Sequence, residues 1–432
     1  MRLLFALVFT ACSGPSLSDF VGKSSSPTPS DPTPSEGGAG DTGQLTDAHP
    51  PFEGVDTGES DTGALDDSST EAEDPLQCPA DDIFPDPTWR TGLPDDHGMD
   101  PDRLALAASV AGMADTNCMV VVRHGTIVGE WYWQGTEPGT KVKNWSVAKA
   151  VSSAVVGVAI DRGDLDSVDQ FASDFIPEWQ HDDRSAIRIH DLLSMSSGLR
   201  FEMLADNVTM PLADDMTALA VNAPADNPPG ALWEYNNHSV QAIEPILREA
   251  TGMAPDDYAD QFLFDPIGMS VSWKHDETGH PAMYMNANAS CRDNARLAYL
   301  YLKKGCWDGD RVLSADWIEQ STSSSTSMNR GYGYWWWLNG EEPLLDSVSF
   351  EDKGRMMHPF APHDAFCGVG LGNQFVEVIP SLDLVVVRLG TAPHDDLSAW
   401  LDPASLYEEL TTDGEQYLHN NILELVLDAV VE

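Results

Sequence analysis

The segment Trp145-Ser146-Val147-Ala148-Lys149 holds the one S-x-x-K of the chain and opens an apolar run. Val147, Val151, Ala154, Val155 and Val158 recur at helical spacing, and Gly163 follows where such a helix would stop. At i and i+3, Ser146 and Lys149 stand one turn apart, about 60° from each other on one face. A serine hydroxyl is a weak nucleophile at neutral pH and needs a base beside it. A lysine amine serves when burial and nearby positive charge lower its pKa. The first turn of a helix adds unpaired backbone N–H groups and the positive end of the dipole, a setting that favours a neutral amine and an oxyanion. The pair therefore points to acyl transfer through Ser146.

Around this helix the pattern is that of a folded domain with strands at both ends. Residues 101–114 predict a helix, and Met119–Arg123 and Thr126–Trp133 predict two strands around an Arg-His-Gly turn. Gln374–Ile379 and Leu384–Leu389 form a second hairpin pattern, and a final helix is expected over about residues 414–431. Helical and loop segments lie between. The expected fold class is mixed α/β: an antiparallel sheet completed by both termini and flanked by helices, plus a mainly helical subdomain.

Upstream of the domain the chain changes character. Met1-Arg2, the apolar Leu3–Phe9 and Thr10-Ala11-Cys12-Ser13 read as a bacterial secretion signal over residues 1–12. The pattern resembles a lipoprotein lipobox, with Cys12 as the lipidated residue, and the apolar run is too short to span a bilayer. Residues 13–84 are rich in Pro, Ser, Gly, Thr and acids, with 14 acids and only Lys23 as a base between Asp19 and Asp74. Too few apolar residues offset the ordering entropy, so this segment is expected to be a disordered tether. Its three Asp-Thr-Gly triplets lack calcium-loop spacing and read as solvated spacer. Residues 85–432 are the expected catalytic domain. Export to the outer membrane, with a lipid anchor as the membrane contact, follows as an expectation.

The chain carries 23 Lys and Arg against 70 Asp and Glu, a net charge of −47. Such a surface repels nucleic acid, which is excluded as a partner, and anionic lipid alike. Cys78, Cys118, Cys291, Cys306 and Cys367 remain for disulfides in an exported chain. Five cannot all pair, and Cys291 with Cys306, flanking one helix-like segment, is the expected bridge. No short metal-ligand spacing such as C-x-x-C or H-E-x-x-H occurs, so no metal and no cofactor are expected.

With the nucleophile placed, further segments fall into an order that resembles the serine β-lactamase and penicillin-binding-protein superfamily. The likeness is to the branch of class C β-lactamases, esterases, D-aminopeptidases and 6-aminohexanoate-dimer hydrolase. It covers about residues 85–400 and rests on the S-x-x-K at Ser146, Ile189–Leu199, Pro229-Gly230-Ala-Leu-Trp233-Glu-Tyr235-Asn236-Asn237, Phe264–Met269, Cys291-Arg292-Asp293, Gly331–Trp336 and Gly370–Gln374. The resemblance implies that Tyr235-Asn236-Asn237 is the second motif. Tyr235 would share proton transfer with Lys149, and Asn237 would bond the lysine amine and a substrate carbonyl. A second Y-x-N, Tyr284-Met285-Asn286, lacks the preceding turn and reads as structural. No K-T-G or K-S-G exists; Gly370-Leu371-Gly372-Asn373 stands in that place. The resemblance implies that the N–H of Leu371 or Gly372, beside Gly370, completes an oxyanion hole with the Ser146 N–H.

The absent K-T-G lysine argues against β-lactamase activity, because that lysine helps hold the β-lactam carboxylate. The aromatic run Tyr332, Tyr334, Trp335, Trp336 and Trp337 reads mainly as core packing, with one or two rings lining an apolar acyl pocket. No G-x-S-x-G occurs, and the five His-Asp dipeptides, His190-Asp191 among them, read as surface or capping pairs. The expected function is hydrolysis of a small-molecule ester or amide through an acyl-enzyme on Ser146. The alternatives are a β-lactamase or D-Ala carboxypeptidase/D-aminopeptidase acting on cell-wall-like substrates, and a non-catalytic surface binding protein on the same fold.

Overall fold

The computed structural model describes residues 78–79, 82–85, 87–391 and 413–431, with side chains of the last helix from His419 onward. Cys12, the acidic segment up to residue 77 and the His394-Asp395 pair lie outside the described residues.

Runs of β-branched residues build the central sheet. Strand β1 (Arg90–Thr91) is followed by β2 (Thr116–Arg123) and β3 (Thr126–Tyr132). The turn between β2 and β3 is His124-Gly125, with φ +48° and +70°, the left-handed pair that a tight hairpin demands. A Cβ on Gly125 would overlap the Ile83 carbonyl oxygen, so the turn needs glycine for space as well. The short ribbons β4 (Ser272–Trp273) with β5 (Ala287–Asn288), and β6 (Cys306–Trp307) with β7 (Asp310–Arg311), stand apart from this sheet. Strands β8 (Trp337–Leu338), β9 (Phe366–Gly370), β10 (Gln374–Ile379) and β11 (Leu384–Gly390) return to it.

The order is β1-β3-β2-β11-β10-β9-β8, antiparallel throughout except for β1 beside β3. The early and late strands meet at β2–β11, where Val120 opposes Val387 and Val122 opposes Val385. The sheet is thus closed by both ends of the folded chain, as the two hairpin patterns predict. Every residue of β2 and β11 is buried, which is why their sequences run apolar without alternation.

Alternate side chains of these strands serve two layers. Val120, Val122, Val385 and Val387 pack with Val147, Val151 and Val155 of the helix Ala148–Asp161. Val121, Val386 and Ile379 pack instead with Leu104 of the helix Pro101–Gly112 and with Leu423 and Val426 of the helix Asp413–Asp428. Each fully buried valine or leucine contributes about 1.5–3 kcal/mol, so the sheet anchors both layers strongly. Residues between Leu165 and Asn288 form the helical subdomain, with helices at Ile189–Leu193, Met216–Val221, Asn237–Gln241, Ile243–Thr251 and Pro255–Ala259. Among the described residues no helix is long and apolar enough to cross a membrane.

The folded body begins before residue 85. Cys78 is bridged to Cys306, the Ile83 carbonyl accepts the Tyr299 hydroxyl at 2.8 Å, and Phe84 is buried against Tyr299. The second bridge joins Cys118 of β2 to Cys291, and Cys367 is free and buried. The expected Cys291–Cys306 pair is therefore corrected. The helix Cys291–Leu302 lies between the two residues, and its 12 residues separate its ends by about 18 Å, beyond the reach of a disulfide.

Candidate active site

The nucleophile turn is held by residues far from it in sequence. Trp145–Val147 form a single 3-10 turn that runs into the helix Ala148–Asp161. Trp145 sits at φ +45°, an unfavourable conformation for a bulky side chain. Asn286 fixes it from both sides: its Oδ1 accepts the Trp145 N–H at 3.2 Å and its own N–H donates to the Trp145 carbonyl at 3.1 Å. Asn286 belongs to the second Y-x-N of the sequence.

Lys149 is buried and donates from Nζ to Ser146 Oγ at 2.9 Å and to the Tyr284 carbonyl at 3.0 Å. Burial pushes its amine down to about 7, and the Asp206 carboxylate opposes this only in part. The Tyr235 ring lies 4.7 Å from Nζ and stacks on Trp337. Desolvation pushes the Tyr235 hydroxyl above its ordinary value, while its hydrogen bond with the Ser146 side chain works the other way. Ser146 itself remains partly exposed. Ser146, Lys149 and Tyr235 are therefore brought together: a nucleophile bonded to an amine poised near neutrality, beside a phenol that keeps its proton.

Asn237 takes a different place from the one expected. It opens the helix Asn237–Gln241, where its backbone N–H donates to Asp206 Oδ1 at 2.8 Å and its Nδ2 to the Asp206 carbonyl at 3.4 Å. Its Oδ1 is buried without a protein partner. The second acceptor of the lysine amine is the Tyr284 carbonyl and not Asn237. Asp206 is the hub of this corner, since it also takes the His238 ring at 2.9 Å.

Gly370 ends β9 against the nucleophile turn. A Cβ there would overlap the Asn144 carbonyl and stand 3.1 Å from the Ser146 nitrogen, so only glycine permits this approach. β8 begins only at Trp337, opposite Cys367, so Gly368–Gly370 has no β8 partner and faces the turn as a free edge. Leu371, Gly372 and Asn373 form the β9–β10 turn, with Gly372 at φ +75° and Asn373 at +62°. Asparagine tolerates this region, and its Oδ1 accepts Arg388 Nη1 at 2.9 Å, which accounts for an asparagine at this turn. Leu371 packs on Val208 with Trp145 and Met203, an apolar patch beside the serine.

The aromatic run is core. Tyr332 and Trp337 cross edge-to-face at 4.8 Å, and both contact Tyr235, so they hold its ring. His190-Asp191 is a cap: Asp191 Oδ2 accepts the Arg188 N–H at 2.8 Å. Sequence reasoning missed Tyr284, Asn286 and Asp206. Tyr284 and Asn286 carried a visible signal, as the two ends of the discounted Y-x-N, and Asp206 carried none. Asn286→Ala should lower kcat by about 10–100-fold with a smaller change in KM, because it releases the turn and leaves the chemistry in place. Steady-state kinetics on a chromogenic ester checks this.

The sequence model of the beta-lactamase family matches residues 105–404. Over 317 residues, 66% of this chain and 75% of the relative, the sequence is 22% identical to 6-aminohexanoate-dimer hydrolase of Paenarthrobacter ureafaciens. A candidate 6-aminohexanoate-dimer hydrolase from Bacillus anthracis superposes with TM-score 0.57 at 19% identity, covering 80% of this chain and 90% of that one. A penicillin-binding-protein homologue from Caulobacter crescentus gives 0.53 at 16% identity, over 75% and 99% of the two chains. These similarities share the fold found here, and the matched span contains the serine, the lysine and the glycine edge together. The chain belongs to the beta-lactamase family of serine hydrolases.

Proposed function

We propose that this protein hydrolyses an ester or a small linear amide through an acyl-enzyme on Ser146, outside the cytoplasm. The observation that carries the reading is the 2.9 Å contact between Ser146 Oγ and a buried amine poised near neutrality. Neutral Lys149 takes the hydroxyl proton as Ser146 attacks the carbonyl carbon. Tyr235, still protonated, relays a proton to the leaving group. The Ser146 N–H, in a first turn without an intrahelical acceptor, and an N–H at Leu371 or Gly372 hold the oxyanion. Water then attacks the acyl carbon, with Lys149 as base again, and Ser146 leaves.

The preference for an uncharged acyl group rests on the Leu371, Val208, Met203 and Trp145 surface and on the missing K-T-G lysine. The similar Paenarthrobacter enzyme, a 6-aminohexanoate-dimer hydrolase, is the support for keeping an amide beside the ester in this reading. A lipid anchor at Cys12 remains part of the proposal; Cys12→Ser is its direct test, through membrane fractionation and palmitate-analogue labelling.

A screen of p-nitrophenyl esters, linear amides and nitrocefin, run beside Ser146→Ala, tests the reading. Short-chain esters should turn over faster than nitrocefin by at least about tenfold, the scale of one missing charged contact. Faster nitrocefin turnover would reverse the ranking in favour of a β-lactamase.

The pH profile has a predicted shape. Below about 7 Lys149 is protonated and cannot accept a proton, so kcat/KM should climb through that pH and level off above it. The upward shift of Tyr235 keeps any alkaline limb out of the neutral range. A profile flat from about pH 5 to 9 would remove Lys149 as the base.

A further inference from the structure

On the sheet face away from the nucleophile helix lies a second cluster of reactive groups that the proposed reaction does not use. Cys367 of β9 and Glu377 of β10 are directly opposed in register, so their side chains share a face. His358, from the segment before β9, closes over them, and His419 reaches in from the terminal helix. All four are buried, at 1%, 0%, 1% and 0% exposure for Cys367, Glu377, His358 and His419.

The distances fit one ion. His358 Nε2 is 3.1 Å from Glu377 Oε1 and 3.7 Å from Cys367 Sγ, and donor atoms of the three residues lie within 4.8 Å of one another. A tetrahedral zinc with ordinary bond lengths sets its N and O donors about 3.3 Å apart and its N and S donors about 3.6 Å apart. His419 Nε2 lies 3.0 Å from the same Glu377 oxygen.

The hydrogen bonds around the cluster are those that orient ligands. Asn420 Oδ1 accepts from His358 Nδ1 at 2.6 Å, and the Asn420 amide nitrogen donates to the Met357 carbonyl. This makes Nδ1 the N–H of the ring and turns Nε2 toward Cys367 and Glu377, the arrangement found behind metal-bound histidines. Phe375 stacks flat on His419 at 3.6 Å and fixes that ring. Glu377 Oε2 is buried with no hydrogen-bond partner. Oε1 already takes both histidine rings, so Oε2 is the carboxylate atom left for an incoming cation.

We propose that His358, Cys367 and Glu377 bind a zinc-like divalent transition-metal ion, with His419 hydrogen-bonded to the Glu377 carboxylate beside them. The mixture of thiol, imidazole and carboxylate suits zinc or cobalt and is poor for magnesium or calcium. Binding displaces the Cys367 thiol proton and the proton between His358 and Glu377, so affinity rises with pH. The ligands stand at 358, 367 and 377, too far apart for any short-motif search, and the expectation of no metal is superseded by this proposal. The ion would tie the segment before β9, through His358, to β9 and β10 on the face that the terminal helix covers.

The full chain, stripped with a chelator and titrated with Co2+ alone, tests this. A thiolate-to-cobalt charge-transfer band in the near ultraviolet should saturate at about one equivalent and be displaced by Zn2+. Cys367→Ser should abolish the band while leaving acylation of Ser146 within about twofold of wild type, since the cysteine lies outside the reaction. If that variant does not fold, zinc measured in wild type purified without chelator decides the matter: about one ion per chain supports the site. Folded wild type with neither the cobalt band nor bound zinc overturns it.

Discussion

Ser146→Ala is expected to reduce turnover by at least about four orders of magnitude and to eliminate covalent labelling by a fluorophosphonate. The fold should survive. The hydroxyl sits at a partly exposed helix start, its loss opens almost no cavity, and Lys149 keeps the Tyr284 carbonyl as an acceptor. The loss of one Lys149 hydrogen bond costs about 1 kcal/mol, small beside the stability of a domain this size. Activity, labelling and thermal unfolding measured on one preparation separate these outcomes. Labelling that persists at full level would show that another side chain is the nucleophile.

The second large effect belongs to Lys149. Lys149→Met keeps most of the buried volume and removes the amine, and kcat/KM should fall by about two to four orders of magnitude. Tyr235→Phe should fall within the same range, because the ring remains stacked on Trp337 and only the proton relay is lost. The double variant should lose less than the product of the two, since both act on the one proton that leaves Ser146. A multiplicative loss would mean that the groups work in separate steps. The Lys149→Met enzyme should also lose the rise in rate near neutral pH, which a purely structural lysine would not control.

Much of this architecture is visible in the sequence because it rests on local chemistry. The valine runs at 119–122 and 384–387 can only be strands buried on both faces, and His124-Gly125 can only be a tight turn between two of them. The pairing of Ser146 with Lys149 follows from helical spacing alone. What stays hidden is made by parts of the chain that meet late. The Tyr284 carbonyl is a backbone group and has no residue signature, yet it sets the direction of the lysine amine. Asp206 enters as one acid among 70 and becomes the hub beneath Asn237 only after folding. The bridge of Cys118 to Cys291 joins a strand to a helix start across 173 residues, a pairing that spacing arguments do not reach. Asn286 shows how a repeated motif misleads: of two Y-x-N triplets, one supplies its phenol to the site, and the other holds the serine turn through its backbone and amide.

The Cys78–Cys306 bridge gives the molecule an unusual mechanical route. A force applied along the chain from before Cys78 to the C-terminus passes through the sulfur bond and re-enters the backbone at Cys306. The 228-residue separation places Ser146, Lys149, Tyr235 and Tyr284 in a loop that carries no covalent load. Roughly 800 Å of extended chain is thereby withheld from stretching, at about 3.5 Å per residue. Strands β8 to β11 take up the pull, while the catalytic groups hang from the bridge as from a bracket. A pull on the chain would reach the glycine edge before it reached the nucleophile.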